Sequence, residues 1–307
     1  MARELNGVAL KIVELFGYVP SDNSGKAVAA RKDLHCPFLG LQCTKQFRDG
    51  VSSGACTVRL VNSGPVICCP NRLYAEHYKI LQEVANVAFA GGARLIPGQQ
   101  LKQVDHDGHY VAVFGKRWGR ELRLPQRLGR GAYFVDWVLA LIDRRGQLQE
   151  FVAVEVQAID TTGNYRAERD AYVRGREYPK YSEAGLNWEN VSKRILPQII
   201  YKGHVLRREP LCTKGLFFVS PTPVYERIRQ RLGGDMLAIH LQPGALTFRW
   251  YNIGGEVPSG EIRPLIDQGQ FTTTVDQVAL AFTAPANLPP IGVYQQAIEA
   301  ELAALRR

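Results

Sequence analysis

This 307-residue sequence contains no apolar run long enough for a transmembrane helix, which needs about 18 to 20 consecutive apolar residues. It also has no apolar segment behind a basic amino terminus, the pattern of a secretory signal peptide. We therefore expect a cytoplasmic protein with no membrane partner. The absence of a P-loop and of a dinucleotide-binding fingerprint argues against ATP-driven or NAD-dependent chemistry.

Positive charge is in excess, with 38 Lys and Arg residues against 29 Asp and Glu residues. A basic protein suits an anionic partner, because neutralising phosphates releases counterions and so favours binding. The cations flank a pair of acidic segments and are Lys116, Arg117, Arg120, Arg123, Arg127 and Arg130 before them and Arg166, Arg169, Arg174, Arg176 and Lys180 after them. Such runs are often only a solvated surface, but here they also suit a cradle for phosphates.

Two neighbouring apolar segments each contain polar residues that are unusual in a buried strand. Asp136 lies within residues 133–139, and Glu155 and Gln157 lie within residues 151–157. Both segments are rich in β-branched and aromatic residues and are separated by the turn-like residues 143–146, which predicts a β-hairpin. Because side chains alternate along a strand, Glu155 and Gln157 should share one face.

Carboxylates in an apolar sheet need a cationic partner, and Mg²⁺ is typically bound by one or two carboxylates plus substrate phosphates. We therefore predict that Asp136 and Glu155 bind Mg²⁺. The spacing resembles the core of PD-(D/E)XK nucleases, with Gln157 where the usual lysine stands. A glutamine cannot act as a general base near neutral pH, but its amide can orient a water molecule. Two solvent-facing acids on an edge hairpin are the alternative.

Five of the six cysteines lie between Cys36 and Cys69. In a reducing cytosol, clustered thiols more often form a metal site than disulfides, and four thiolates suit a tetrahedral structural site for Zn or Fe. The predicted ligand set is Cys36, Cys43, Cys56 and Cys69. Thiols buried in a core without any metal are the alternative.

Several short motifs together resemble the NotI restriction endonuclease family. They are CPFL at 36–39, GAC at 54–56, CPNR at 69–72, ELRL at 121–124, VDW at 135–137, VEVQ at 154–157 and NVSKR at 190–194. The resemblance covers most of residues 30–230 and implies a homodimeric type II restriction enzyme with a four-cysteine iron site and a GC-rich palindromic target. It further implies that Asp136, Glu155 and Gln157 form the catalytic core, with Glu121 as an additional acid. Cys68 competes with Cys69 for the fourth thiolate position, and the following Pro-Asn-Arg selects Cys69.

The expected fold is α/β, a restriction-endonuclease-like PD-(D/E)XK core with a central mixed sheet flanked by helices, preceded by an N-terminal four-cysteine module. Residues 1–91 should contain an N-terminal helix, the cysteine module and a second helix, and residues 92–307 the nuclease core with a C-terminal elaboration. Helices are predicted near 1–17, 74–90, 188–207 and 292–306, a polar loop at 19–30, strands near 109–115, 133–142, 150–158 and 214–220, and a β-rich tail at 246–275.

Residues that reach bases should follow the catalytic strand, because reading the target requires polar side chains close to the cutting site. The predicted DNA-binding residues are Thr161, Thr162, Asn164, Tyr165, Arg166, Arg169, Lys193 and Arg194. An ordinary polar loop is the alternative for this segment. The resulting hypothesis is a Mg²⁺-dependent type II restriction endonuclease that cuts double-stranded DNA. A less specific DNase or repair nuclease and a non-catalytic DNA-binding protein remain as alternatives.

Overall fold

A computed structural model of the chain describes residues 9–89, 92–102, 108–116, 118, 122–124, 133–284 and 288–306. Within this part the chain has a mixed α/β architecture around one seven-stranded sheet. The strands are, in chain order, β1 (Leu10–Leu15), β2 (His35–Cys36), β3 (Leu41–Gln42), β4 (Ala55–Leu60), β5 (Pro65–Ile67), β6 (Arg94–Pro97), β7 (Tyr110–Gly115), β8 (Arg123–Leu124), β9 (Tyr133–Phe134), β10 (Trp137–Ile142), β11 (Leu148–Val156), β12 (Thr161–Asn164), β13 (Glu183–Leu186), β14 (Leu216–Pro221), β15 (Ala245–Ile253) and β16 (Leu265–Thr274).

The helices of the described residues surround this sheet and follow the same chain order. They are α1 (Gly25–Lys32), α2 (Ala75–Ala88), α3 (Arg166–Val173), α4 (Leu196–Leu206), α5 (Thr222–Leu232), α6 (Val275–Thr283) and α7 (Val293–Leu305). A π-helical turn, Val191–Ile195, leads directly into α4, which has Pro197 in its first turn. Proline is tolerated there because the first amide groups of a helix have no intrahelical acceptor.

The central sheet has the strand order β16-β15-β14-β11-β10-β7-β6. Strands β7, β10 and β11 run antiparallel to their neighbours, whereas β11, β14 and β15 are parallel to one another. The strands at the centre are almost fully buried, as their continuous Val, Leu, Ala and Phe residues require. The hairpin predicted from residues 133–157 is thus confirmed as β10–β11, at the middle of the sheet.

The first forty residues differ from the sequence-based expectation. Residues 10–15, predicted as part of a helix, form strand β1, whose buried residues Leu10 and Ile12 alternate with half-buried ones. Short apolar runs do not distinguish the two periods, and pairing with β4 decides for the strand. The predicted polar loop at 19–30 contains helix α1, which begins where the Ser24 hydroxyl accepts a hydrogen bond from the Ala27 amide.

The N-terminal region packs on the rest of the chain through a buried ion pair. Glu14 of β1 accepts two hydrogen bonds from the guanidinium of Arg72, from Nε at 2.8 Å and from Nη2 at 3.0 Å. Arg72 also donates to the backbone oxygen of Arg263, close to β16. The predicted domain boundary at residue 91 lies outside the described residues, and the division into two domains stays a prediction.

Elsewhere the predicted elements agree with the structure. The helix expected at 74–90 is α2, although Glu76, His77 and Tyr78 have left-handed backbone angles and the regular helix begins after them. The β-rich tail is the antiparallel pair β15 and β16, which extends the central sheet at its edge. The final predicted helix is α7.

Candidate active site

The hairpin β10–β11 places two carboxylates next to each other at the end of the sheet. Trp137 is opposite Val154 in the strand register, so the residue before β10, Asp136, lies beside the end of β11. Its Oδ2 accepts a hydrogen bond from the Val156 amide at 2.8 Å. This bond fixes one oxygen of Asp136 against the strand that carries Glu155.

Glu155 has a cationic partner that comes from a helix. The side chains of Glu155 and Lys202 are both buried, and the Lys202 ammonium donates to Oε1 of Glu155. Lys202 lies on α4, which packs against β14, the parallel neighbour of β11. The helix therefore delivers a lysine to the acidic strand from across the sheet.

The electrostatic environment holds Glu155 near its point of protonation at neutral pH. Burial and then the neighbouring Asp136 carboxylate raise the pKa of Glu155 to about 8, and Lys202 offsets them only in part. Like charges close together cannot both ionise easily in an apolar site. Another cation near Asp136 and Glu155 would relieve this repulsion, and their oxygen donors are the type that Mg²⁺ prefers.

Asp136 faces a cavity of about 410 Å³, here called the Asp136 cavity. Its remaining walls come from distant parts of the chain and are Thr44, Lys45, Cys69, Pro70, Asn71, Tyr74, Lys116, Trp137 and Val156. Two lysines, Lys45 and Lys116, therefore face the same space as the Asp136 carboxylate. An open acidic site with nearby cations suits a phosphate-containing ligand better than an apolar one.

Aromatic residues form the floor of this cavity. Tyr74 and Tyr78 stack with ring centroids 5.1 Å apart, and both pack edge-on against Trp137. The indole nitrogen of Trp137 donates to the Tyr74 hydroxyl at 3.1 Å. Burial and the Asp136 carboxylate raise the pKa of Tyr74 well above its usual value, so this residue stays a neutral phenol at physiological pH.

The other predicted catalytic residues have different positions. Gln157 follows the last residue of β11, is half-buried, and its backbone amide donates to the Val219 oxygen at 2.9 Å. Glu121 lies outside the described residues, as do Arg117, Arg120, Arg127 and Arg130.

The four predicted metal-binding cysteines are buried in one neighbourhood. Cys36, Cys43 and Cys69 all raise the pKa of Cys56 by their charge, in addition to burial. Burial also raises the pKa of Cys69 to about 12. In the described part of the chain, however, no three Cys, His, Asp or Glu side chains are arranged to bind one metal ion. The cysteines thus converge without forming a ligand cage.

The fifth thiol of the cluster has a different partner. The Lys45 ammonium lies 3.2 Å from the Cys68 sulfur and 2.9 Å from the Cys68 backbone oxygen. Burial lowers the pKa of Lys45, but Cys68 and other acidic groups nearby outweigh burial and raise it. The structure thus separates Cys68 from the predicted set by pairing it with a lysine.

Comparison with known protein families identifies this arrangement. The family model of the restriction endonuclease NotI matches residues 24–211, more than half of the chain. The chain belongs to the NotI restriction endonuclease family. No curated protein matches the sequence. The matched segment contains Asp136, Glu155, Lys202 and all four predicted cysteine ligands, so the NotI resemblance of the motifs is confirmed.

Family membership makes the protein a nuclease whose substrate is DNA. Among the described residues no helix is long and apolar enough to cross a membrane.

The segment predicted to bind DNA in this NotI-family chain divides into exposed and engaged residues. Thr162 and Asn164 are exposed on β12, and Thr161 is half-buried. Gly163 between them is required, because its φ is +73° and a Cβ would lie 2.3 Å from the Glu183 backbone oxygen. Lys193 and Arg194 are exposed and form surface ion pairs with Glu189 and Asp160, which contribute little and can be exchanged for phosphates.

Tyr165 and Arg169 occupy a different environment from that expected. Tyr165 is buried, and its hydroxyl shares a 2.7 Å hydrogen bond with Ser53. The Arg169 guanidinium is buried against Asp170 and lies over the Phe16 ring. Their positions support a structural role for both residues, and we leave them out of the proposal below.

Sequence reasoning missed Lys202 and the cavity wall formed by residues 44–45 and 69–74. A signal for Lys202 was present, because it lies three residues after Ile199 and four before Leu206, both of which are buried on α4. A lysine on the apolar stripe of a helix must have a partner. The cavity wall left no signal, since it depends on how the cysteine segment packs on the sheet.

Proposed function

We propose that this chain is a Mg²⁺-dependent type II restriction endonuclease that hydrolyses both strands of a short, GC-rich palindrome. The observation that carries this proposal is the pair Asp136 and Glu155, set on adjacent strands beside a cavity in a member of the NotI family. The strand directions around β11, antiparallel on one side and parallel on the other, agree with the expected nuclease core.

Asp136 and Glu155 would bind the catalytic Mg²⁺ through carboxylate oxygens. When bound, the ion supplies positive charge at the scissile phosphate and lowers the pKa of a coordinated water. Asp136 keeps one oxygen on the Val156 amide, which orients the carboxylate toward the cavity. The raised pKa of Glu155 means that the metal-free site carries close to one negative charge fewer than two ionised acids would.

Lys202 positions Glu155 and keeps it partly ionised. It holds Oε1 of Glu155 from the side of α4 and compensates the charge of a buried carboxylate. Gln157 is in our proposal the residue that orients the attacking water, and Glu121 is the additional acid. Lys116 and Lys45, which line the cavity, would hold the phosphate backbone.

A palindromic target calls for two copies of the chain related by a two-fold axis, each cutting one strand. We therefore propose a homodimer. Arg166, Asn164 and Thr162 project from the segment that follows the catalytic strand and suit contacts to DNA. The GC-rich target follows from the family resemblance, and arginine is the side chain that most often reads guanine.

Digestion of phage DNA of known sequence tests the proposal directly. With Mg²⁺, the purified protein should give discrete fragments whose sequenced ends share one GC-rich palindrome. A smear would instead indicate a less specific DNase or repair nuclease. Binding without cleavage would indicate a non-catalytic DNA-binding protein.

We further propose that Cys36, Cys43, Cys56 and Cys69 hold one structural Fe or Zn ion. The support is their shared burial and proximity, although the side chains as they stand do not form a cage. Elemental analysis of folded protein should find about one Fe or Zn per chain that Mg²⁺ does not displace. Folded protein with no tightly bound metal would leave these residues as buried thiols of an ordinary core.

A further inference from the structure

Residues 46–52, here called the tip hairpin, form a tight β-hairpin between Cys43 and Cys56. Gln46 pairs with Ser52, and the Phe47 amide donates to the Val51 oxygen at 2.9 Å. The Gly50 amide donates to the Phe47 oxygen at 3.0 Å, which defines a β-turn with Arg48 and Asp49 at its centre. Both central side chains are exposed.

The tip hairpin is attached to the segment that follows the catalytic strand. The Phe47 ring packs on Tyr165 with centroids 5.1 Å apart, and the Arg166 guanidinium lies over Phe47. Arg166 also forms an ion pair with Asp49. These contacts set the position of the hairpin relative to β12 although the two segments are more than 100 residues apart in sequence.

Together the two segments line a groove of about 830 Å³, here called the hairpin groove. Residues 45–49 form one side and residues 160–166 the other, with Asn187 between them. Lys45 lines both this groove and the Asp136 cavity. The hairpin groove is therefore the neighbour of the candidate cutting site, where a nuclease that reads its target must place its base contacts.

The side chains of the groove differ in how free they are. Arg166 is shared among Asp49, Asp170 and Phe47. Among the described residues, neither Arg48 nor Gln46 has a side-chain hydrogen bond or ion pair, and both are exposed at the groove. An arginine with a free planar fork matches the O6 and N7 acceptors of guanine, and a two-stranded ribbon fits the major groove of DNA.

We infer that the tip hairpin enters the major groove of the target and that Arg48 is a specificity-determining residue that reads one guanine. This inference rests on the proposed function and adds a second reading element to the segment after β11. Asp49 beside Arg48 is a carboxylate that repels a phosphate, which favours a base edge over the backbone as the partner of this turn. Through its ion pair, Asp49 also positions Arg166.

Substitutions Arg48→Lys and Arg48→Ala test the inference, with Arg145→Lys and Arg145→Ala as matched controls. Arg145 is also an exposed arginine at a hairpin turn, but it lies in the β10–β11 turn at the opposite end of β10 from Asp136. Each variant is used to digest sequenced phage DNA. Cleavage rates are then compared on duplexes that carry the wild-type site or each one-base variant of it, at several salt concentrations.

Arg48→Lys keeps the charge but removes the fork. It should reduce discrimination at one G·C position by about 5- to 150-fold while leaving the other positions and the salt dependence unchanged. The Arg145 variants should match wild type. Equal weakening on all sequences by Arg48→Ala, with a salt slope smaller by about 1 and normal specificity in Arg48→Lys, would show a phosphate contact and overturn the inference.

Unchanged specificity and salt dependence in both Arg48 variants would also overturn it, while the proposed function would stand on the discrete wild-type fragments. A wild-type protein that gives no discrete fragments would instead contradict the proposed function, and the inference would fall with it. Because Arg48 is exposed and unpaired, thermal unfolding of both variants should match wild type.

Discussion

The protein buries two glutamates against a cation, and the two pairs are built differently. At the N-terminal region, Glu14 and Arg72 are both 0% exposed, and the carboxylate receives two hydrogen bonds from the guanidinium and one from the Thr57 hydroxyl. At the candidate active site, Glu155 receives one bond from Lys202, and Asp136 is close enough to raise its pKa to about 8.

The comparison separates a structural ion pair from a functional one. A planar guanidinium that fills both oxygens of a carboxylate leaves little capacity for another ligand. A lysine that holds one oxygen leaves the other available, and the adjacent Asp136 makes a further cation favourable there. A buried carboxylate with an incomplete set of partners beside a cavity is thus a stronger functional signal than burial alone.

Removing an acid at the candidate site should have the largest effect. Asp136→Asn and Glu155→Gln should each lower the cleavage rate by about a thousandfold or more, because the metal contributes several kcal/mol and each ~1.4 kcal/mol is a factor of ten. Rates on the palindromic duplex and binding by mobility shift measure this. DNA binding should persist, since phosphate contacts remain.

Glu150→Gln is the matched control for this experiment. Glu150 lies on β11 as well, but at its other end, where it pairs with Lys214. This variant should cleave as wild type does. A Glu155→Gln enzyme with wild-type activity would remove the candidate site from consideration.

Breaking the structural pair should affect stability rather than chemistry. Arg72→Met leaves Glu14 buried without its cation and should lower the free energy of unfolding by about 3 to 5 kcal/mol. The double variant with Glu14→Gln should recover most of this loss, because no uncompensated charge remains. Urea unfolding measures both variants. Equal stability of Arg72→Met and wild type would contradict the assignment.

Lys202→Met should have a smaller effect on stability, about 2 kcal/mol or less, because Glu155 can take up a proton where Glu14 is held as an ion. Its main effect should be on pH dependence. With the lysine gone, the pKa of Glu155 rises above about 8, so the Mg²⁺ concentration for half-maximal cleavage should increase most below that pH. Lys202→Arg keeps the charge and serves as the control.

The sign of the linked stability change follows from the same pKa. Folding raises the pKa of Glu155 from 4.5 to about 8, so its favourable contribution is complete below pH 4.5 and is lost as the pH rises through about 8. Wild type and Glu155→Gln should therefore differ in the slope of stability against pH in this window. Parallel curves would contradict the raised pKa.

An exposed carboxylate should show the smallest effect and the opposite sign. Burial acts against it, but hydrogen bonds from Ser259, Gly260 and Ser24 lower the pKa of Asp22 to about 2. Its contribution is present above the ordinary pKa of 3.8 and is lost as the pH falls toward 2. Asp22→Asn should flatten unfolding curves only in this acidic range, by less than about 1 kcal/mol after solvent screening.

Much of the fold could be predicted where local patterns are strong. The alternation of apolar residues and the turn at 143–146 predicted the β10–β11 hairpin, and with it the proximity of Asp136 to Glu155. The same kind of pattern was too short at 10–15, where pairing with β4 overrode the helical interpretation. At 25–32 the helix depends on the Ser24 cap and on packing of Ala27 and Ala30, which the polar composition concealed.

What the sequence by itself determined is the identity of the acids, the strands that carry them and the family to which the chain belongs. These are local properties, because a strand pair with a short turn brings its residues together without help from the rest of the chain. Only the tertiary structure decided that Lys202 reaches Glu155, that residues 69–74 line the Asp136 cavity and that the tip hairpin packs on Tyr165. These partners are 47, 62 or more, and 112 or more residues apart in sequence, and such contacts form only when the sheet, the helices and the cysteine region pack together and compensate each buried charge.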